Sequence, residues 1–308
     1  MAPSRDRLIT LVEDLSPAAV NPVLVHSFSG FMDAGSSAQL AVNHLLDNCD
    51  ERIVATFDSD ELIDYRARRP KMIFDRNRFI NADMPRITLR EVLDDRGTPF
   101  LLLSGPEPDY RWNEFLGSVR WLVRELNVGL SVGLVGIPWP VPHTRPIGMT
   151  WHGTDQRLYQ GHTSTLGVIE VPGHMQALIE WSLGQHDHDA MGLAVHVPHY
   201  LTQFEYPRAA IALLRGLAVA TGLQLPTDGL EEQAQQAEDE IERQTSDSEE
   251  FDPLLRALEE QYDSGLEPGY EPDEDEQRSS TPLPNADEIG LQVERFLAEM
   301  DDRGDAGG

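Results

Sequence analysis

This chain of 308 residues has one cysteine, Cys49, and one lysine, Lys71. A single cysteine excludes a disulfide framework and a thiolate metal cluster built within one chain. The single lysine does not follow a glycine-rich turn, which excludes a Walker-type phosphate loop. The ten histidines include no H-E-x-x-H pair and no pair four residues apart on a predicted helix, so neither a metal site nor a cofactor is expected.

Long apolar segments are also missing. The first residues, MAPSRDRLITLVEDL, lack the apolar stretch of a signal peptide. The longest nearly unbroken apolar stretch, residues 128–141, contains prolines and is shorter than a membrane-spanning helix requires. We therefore expect a cytoplasmic protein without a membrane partner.

Positive charge is scarce, and the deficit is concentrated toward the C-terminal end. The net charge is −29, of which residues 226–308 contribute −22 through 27 acidic residues against 5 arginines. The preceding 225 residues carry only −7. A field of this sign repels nucleic acid phosphates and anionic lipids, so neither is expected as a partner.

Apolar runs that alternate with helical patterns predict the fold. Strands are predicted at 22–28, 52–58, 71–75, 86–93, 99–105, 128–137, 148–153, 165–173 and 190–201, and helices at 34–46, 110–126, 174–183 and 209–222. This order predicts a three-layer αβα sandwich around a mixed, mostly parallel sheet, with an antiparallel strand from the stretch 148–167.

Composition divides the chain into four segments. Residues 1–225 are predicted to form the α/β core domain, and residues 226–265 an acidic helical extension. Residues 266–284 are rich in proline and acidic side chains, which predicts a flexible linker. Residues 285–302 predict one amphipathic helix, and because a helix this short is marginal alone, it should dock on the body or on a partner.

The strongest site candidate is the proline-rich loop in GIPWPVPHTRP, which follows the predicted strand 128–137. Its prolines stiffen the backbone that holds His143, Thr144 and Arg145 at the carboxyl end of a central strand. Ligands of open α/β sheets bind at that edge.

Two interpretations of this loop stay open. His143 and Arg145 could serve as general acid and anion clamp, although no general-base carboxylate adjoins them in sequence. In the structural interpretation, Arg145 pairs with an acid such as Asp33 or Glu170, and His143 bonds a backbone carbonyl. The structural interpretation is favoured, since a loop at this edge is only a general pointer to function.

A second candidate is the turn GFMDAGSS, residues 30–37, which joins a predicted strand to a predicted helix. It could cradle an anion with backbone N–H groups at the helix N-terminus. The structural interpretation instead makes Asp33 the helix cap, with Gly30 and Gly35 serving the turn geometry. The second interpretation is favoured because Asp33 would repel a bound phosphate.

The string GLSVG matches the G-x-S-x-G motif of α/β-hydrolases, with Ser131 in the nucleophile position. That motif requires a strand, a sharp turn and then a helix. Here a predicted helix precedes the string and a strand follows it. No catalytic residue is therefore predicted from it.

Three segments taken together resemble one known family: VHSFSGFMDAGSSAQLAVNHLL (25–46), ELIDYRARRP (61–70) and GIPWPVPHTRP (136–146). They resemble the proteasome assembly chaperone type 2 (PAC2) family, in its largely uncharacterised actinobacterial branch, collinearly over about Leu8 to Gly222. The resemblance implies a sandwich related in fold to nucleoside phosphorylases and peptidyl hydrolases, with appended C-terminal helices. It also implies a homo-oligomer such as a trimer, and a binding role toward proteasome subunits without established catalysis.

One departure from the family concerns the chain end. Archaeal relatives end in a hydrophobic-tyrosine-any tripeptide that inserts into pockets of the proteasome ring, whereas this sequence ends Asp305-Ala306-Gly307-Gly308. We therefore do not expect that docking mode. Two functions stay open: a chaperone-like protein-interaction module, and a phosphorylase- or hydrolase-type enzyme with a pocket at the carboxyl edge of the sheet.

Overall fold

A mixed eight-stranded sheet lies at the centre of the chain, which a computed structural model describes over residues 8–162, 167–246 and 251–264. The strands are β1 (Ile9–Leu11), β2 (Val23–Ser29), β3 (Glu51–Phe57), β4 (Lys71–Asp75), β5 (Arg78–Asp83), β6 (Thr88–Leu93), β7 (Pro99–Pro106), β8 (Leu130–Trp139), β9 (Met149–Gly153) and β10 (Ala190–Pro198). Their order in the sheet is β1-β3-β6-β7-β2-β8-β10-β9, and β4 pairs only with β5. The predicted linker at 266–284 and the predicted helix at 285–302 lie outside the described residues.

The four central strands, β7, β2, β8 and β10, run parallel to one another. Antiparallel strands flank them, with β6, β3 and β1 on one side and β9 on the other. In β8 the residues from Ser131 to Gly136 are all buried, as expected for a parallel strand that is covered by helices on both faces. The predicted α/β class, the interior strand at 128–137 and the antiparallel strand after it are confirmed.

Helices cover both faces of the sheet. They are α1 (Ser37–Asn48), α2 (Ser59–Leu62), α3 (Trp112–Glu125), α4 (Met175–Gly184), α5 (Pro207–Thr221), α6 (Asp228–Ser246) and α7 (Phe251–Asp263). One core cluster joins α1, α5, α6 and α7 to one face, and a second joins α3 and α4 to the other. Within the described ranges, no helix combines the length and the apolar character needed to cross a membrane.

The acidic helices α6 and α7 bury an apolar side against the core. Leu230 and Ala234 of α6, with Phe251 and Leu258 of α7, belong to the cluster that also contains α1 and α5. Their charged side chains lie on the opposite sides, which explains how so acidic a segment folds. The boundary at residue 225 stays a prediction.

The strand predicted at 165–173 is wrong over its described part. Residues 167–173 form no strand, and Val168, Ile169 and Val171 are exposed. Alternating apolar residues suit a strand only where a neighbouring strand accepts their hydrogen bonds. Here β9 already occupies the edge of β10, and Pro172 lacks a backbone donor.

The hairpin of β4 and β5 projects from the rest of the chain. None of the residues in either strand is buried. Phe74 and Phe79 face each other across the two strands, with ring centroids 4.9 Å apart. The sequence predicted a strand at 71–75 but not its partner at 78–83.

Candidate functional site

The segment that follows β8, residues 140–148, is called the proline loop below, and it leaves the sheet at the carboxyl edge of the parallel strands. The ring of Trp139, the last residue of β8, stacks on His196 of β10 with centroids 4.3 Å apart. The His196 Nε2 lies 2.8 Å from the Thr150 hydroxyl at the start of β9. Both ends of the loop are therefore fixed by the sheet.

The His143 side chain is held by Tyr200, which follows β10. The Tyr200 hydroxyl oxygen accepts the backbone N–H of His143 at 2.8 Å and lies 2.9 Å from the ring Nδ1. Because that oxygen already accepts one proton, its own O–H can donate to Nδ1, which suits a neutral imidazole. Burial lowers the pKa of His143, in keeping with that state.

The two neighbours of His143 bind acidic residues of α7. The Arg145 guanidinium donates two hydrogen bonds to the Asp263 carboxylate, at 2.9 and 2.8 Å, and a third to Glu259 at 3.0 Å. The Thr144 hydroxyl donates to the same Glu259 carboxylate at 2.5 Å. Hydrogen bonding to Asp263 raises the pKa of Arg145, and the same contact lowers the pKa of Asp263.

Helix α7 lies across the proline loop along its whole length. At its first residue, the Phe251 ring packs edge-on against Tyr200 with centroids 5.0 Å apart. Near its last residue, the Tyr262 hydroxyl donates to the Pro146 carbonyl at 3.0 Å. The polar groups of the predicted site are thus paired within the chain, which matches the structural interpretation in kind. The partners differ from those expected: they are Glu259 and Asp263 rather than Asp33 or Glu170, and Tyr200 rather than a backbone carbonyl.

The second candidate segment, around Asp33, serves the start of α1. The Asp33 carboxylate accepts the backbone N–H groups of Ala38 at 2.8 Å and Gln39 at 2.9 Å. Burial raises the pKa of Asp33, against these hydrogen bonds, which lower it. A carboxylate that occupies the donors at this helix start leaves none of them for an anion.

The two glycines of this turn allow close packing. Gly35 has a φ of +64°, and a side chain there would meet the Cβ of Tyr206 at 2.9 Å. Gly30 lies against the side chain of Glu107, whose carboxylate accepts the Met175 N–H at the start of α4.

The residues predicted as one site therefore lie in two groups at the same edge of the sheet. The segment 199–206 contacts both groups, since Tyr200 binds His143 while the backbone of Gly35 bonds to Thr202 and Tyr206. Among the described residues, Asp33 and Arg145 share no hydrogen-bond partner. Asp33 serves the start of α1, whereas His143 and Arg145 bind Tyr200 and α7.

Sequence reasoning missed the residues that complete this arrangement. Glu259 and Asp263 are four residues apart on α7, the spacing that puts two side chains on one helix face. That spacing was visible in the sequence, but nothing linked it to a loop more than a hundred residues away. Nothing in the sequence marked Tyr200 as a site residue, because it lies in an apolar run.

Ser131 forms a Ser–His pair at a different end of the sheet. Its hydroxyl lies 3.1 Å from His188 Nε2, and its backbone N–H donates to the Asp189 carbonyl. Ser131 is fully buried near the amino end of β8, opposite to the edge where ligands bind. The pair ties β8 to the turn before β10. No group of three His, Cys, Asp or Glu side chains in the described part of the chain is placed to hold a metal ion.

Solved structures with the same fold include proteins from actinobacteria. The chain is 42% identical to the Mycobacterium tuberculosis unknown function protein Rv2714, with a TM-score of 0.81 over 86% of this chain and 93% of that one. It is 37% identical to a protein of unknown function from Corynebacterium glutamicum, with a TM-score of 0.81 over 86% of this chain and 100% of that one. The M. tuberculosis proteasome-assembly chaperone homologue Rv2125 is 24% identical, with a TM-score of 0.70 over 77% of this chain and 99% of that one, a likeness of fold.

No curated protein matches the chain. The family model described as the PAC2 family matches residues 27–245, which is well over half of the chain. The matched range includes residues 27–46 of the first segment and the whole of the other two segments on which the sequence resemblance rests. This chain belongs to the PAC2 family.

Proposed function

We propose that this chain is a chaperone-like protein-interaction module that works as a cytoplasmic homo-oligomer, in the form of a trimer, with proteasome subunits as its partners. Membership of the PAC2 family supports the class of function. The observation that carries the proposal is the hairpin of β4 and β5.

The hairpin is built to be covered by another molecule. Phe74 and Phe79 are 57% and 64% exposed, and Met72, Ile73 and Ile80 are more than half exposed as well. A two-stranded hairpin is marginally stable in water unless a further surface packs against it. Exposed apolar patches of this kind mark protein–protein contact sites.

The charge of the hairpin fits a second copy of the same chain. The stretch 66–78 holds six basic residues and one acidic residue, in a chain whose net charge is −29. Another copy offers acidic surfaces, such as the exposed faces of α6 and α7. Charge of opposite sign guides association and fixes its register.

The proposal that proteasome subunits are the partners rests on the description of a relative of this chain. Rv2125 is described as a proteasome-assembly chaperone homologue, and we extend that role to this chain on family membership. The enzyme alternative finds no support in the contacts of its residues, because Asp33 caps α1 while His143 and Arg145 are bound by Tyr200 and α7.

The oligomer is tested by light scattering coupled to size-exclusion chromatography. We expect the full chain to elute with the mass of three copies, and the double variant F74S/F79S to elute as a monomer. The matched control N77S changes the turn of the same hairpin, removes neither an apolar nor a basic side chain, and should keep the oligomer. A monomeric wild-type chain, or an F74S/F79S variant of unchanged mass, would contradict the proposal.

The partner class is tested by capture of purified proteasome core subunits on the immobilised full chain. We expect the wild-type chain and the N77S control to retain these subunits. If the wild-type chain retains only further copies of itself, the proteasome part of the proposal fails while the oligomer part stands.

A further inference from the structure

A polar cavity of about 230 Å³ lies between α1 and strands β2, β6 and β7. It opens at the carboxyl edge of the parallel strands, on the face of the sheet that α1 covers. The residues of the proline loop do not line it. It is therefore separate from the proline loop, and it shares only Gln39 with the contacts of Asp33 at the start of α1.

The floor of the cavity is a row of three hydroxyl groups. Thr88, Ser104 and Ser27 are direct neighbours across β6, β7 and β2. Side chains of directly paired residues project to the same face of a sheet. On that face, Val25 and Leu102 lie two residues before these serines and belong to the hydrophobic core. The apolar face of the sheet thus becomes a polar one at its carboxyl edge.

Two of these hydroxyl groups have no hydrogen-bond partner in the described part of the chain. Ser27 and Ser104 are largely buried residues, and their hydroxyl oxygens stay open to the cavity. The third, that of Thr88, accepts a hydrogen bond from Arg90. Because each serine hydroxyl can donate one hydrogen bond and accept others, this cavity floor offers free donors to a polar molecule.

The walls add two guanidinium groups and two carboxamides. Arg86 and Arg90 reach the cavity from β6 and the residues before it. Gln39 and Asn43 lie one turn apart on α1, so both carboxamides reach the cavity from the same face of that helix.

The local charge is positive. Glu51 lies 3.2 Å from the Arg90 guanidinium and balances it. The other nearby acid, Asp33, is engaged by the N–H groups at the start of α1. Arg86 takes part in none of the ion pairs among the described residues, which leaves one uncompensated positive charge.

We propose that this cavity binds the oxyanion group of a small metabolite, a phosphate monoester or a carboxylate. Guanidinium, hydroxyl and carboxamide groups all donate hydrogen bonds to such an anion, and the charge-assisted bonds from arginine are the strongest among them. The cavity has room for the anionic group and a few further atoms, with Val42, Leu46 and Pro106 as its apolar side. This site is independent of the proposed protein interaction.

The test is isothermal titration calorimetry of the full chain with inorganic phosphate in one arm and acetate in the other. We expect saturable binding in at least one arm, and the arm with the higher affinity identifies the anion class. R86Q should lower that affinity at least tenfold, and S104A should lower it by a smaller factor. The matched control R96Q removes an exposed arginine outside the cavity and should leave the affinity unchanged.

A second readout separates binding from folding. Without the anion, R86Q should melt at the wild-type temperature because Arg86 is exposed. With the anion, only the wild-type chain and R96Q should gain thermal stability, since a ligand that binds the native state alone raises the melting temperature. Absence of saturable binding in both arms, or equal affinities for wild type and R86Q, would overturn the proposal.

Discussion

The hairpin and the proline loop both lie outside the eight-stranded sheet, and both carry arginines beside apolar rings. Their surroundings differ completely. In the proline loop, His143 and Arg145 are bound by Tyr200 and α7, and Phe251 is 6% exposed. In the hairpin, Phe74 and Phe79 are more than half exposed and contact chiefly each other.

This difference shows that residue type alone does not mark a functional surface. A histidine and an arginine on a proline-rich loop suggest a catalytic site, yet here they hold helix α7 on the core. Two phenylalanines paired across two short strands suggest core, yet here they lie in solvent. The groups without partners in the folded chain are the better guide to function.

The largest expected effect compares phenylalanines from the two regions. F251A should lower the free energy of unfolding by about 3–5 kcal/mol, since it removes a buried ring. F74S/F79S should change it by no more than about 0.5 kcal/mol, because both rings are exposed in the single chain. Urea denaturation at a dilution where all proteins are monomeric measures both values. Equal losses of unfolding free energy in F251A and F74S/F79S would contradict the distinction between the buried ring and the exposed rings.

A smaller effect is expected at the ion pairs of the proline loop. E259Q/D263N removes the carboxylates that bind Arg145, so α7 should open more often. Hydrogen exchange of the backbone amides in residues 251–264 should then become faster, while exchange in the hairpin stays the same. E260Q, which changes an exposed neighbour on the same helix, is the control. Unchanged exchange in α7 would show that the pairs do not hold it.

The smallest effect is a dependence of stability on pH. Burial lowers the pKa of His143 below its ordinary 6.5, so the unfolded chain binds this proton more readily than the folded chain. The contribution of the neutral ring is therefore complete above 6.5 and is lost as the pH falls below that value. Relative to H143Q, the wild-type chain should lose stability on mild acidification in calorimetric melts. If the difference in stability between the wild-type chain and H143Q stays the same at every pH, His143 is not the group that causes the pH dependence.

Much of the fold was predictable because its signals are local. The apolar run at 128–137 and the prolines after it predicted an interior strand that ends in a loop, and both are present. Helix α5 has Pro207 in its first turn and Gly222 directly after its last residue. Both residues are common signals for the start and the end of a helix.

The rest depends on contacts between distant residues. Nothing near Arg145 in the sequence indicates that its partners are Glu259 and Asp263. The same holds for the row of hydroxyls, since Ser27, Thr88 and Ser104 become neighbours only through the strand order. Strand order is set by the whole fold, and a pattern within one strand does not contain it.

Hydrogen exchange of the full chain at a low and a high protein concentration tests the central claim most directly, because it reads both regions in one experiment. If the hairpin contacts a second copy, amides in residues 71–83 should be protected at the high concentration and exchange rapidly at the low one. Those of the proline loop should exchange at the same rate in both, since α7 covers the loop within each chain. Hairpin amides that exchange equally fast at both concentrations would contradict this account.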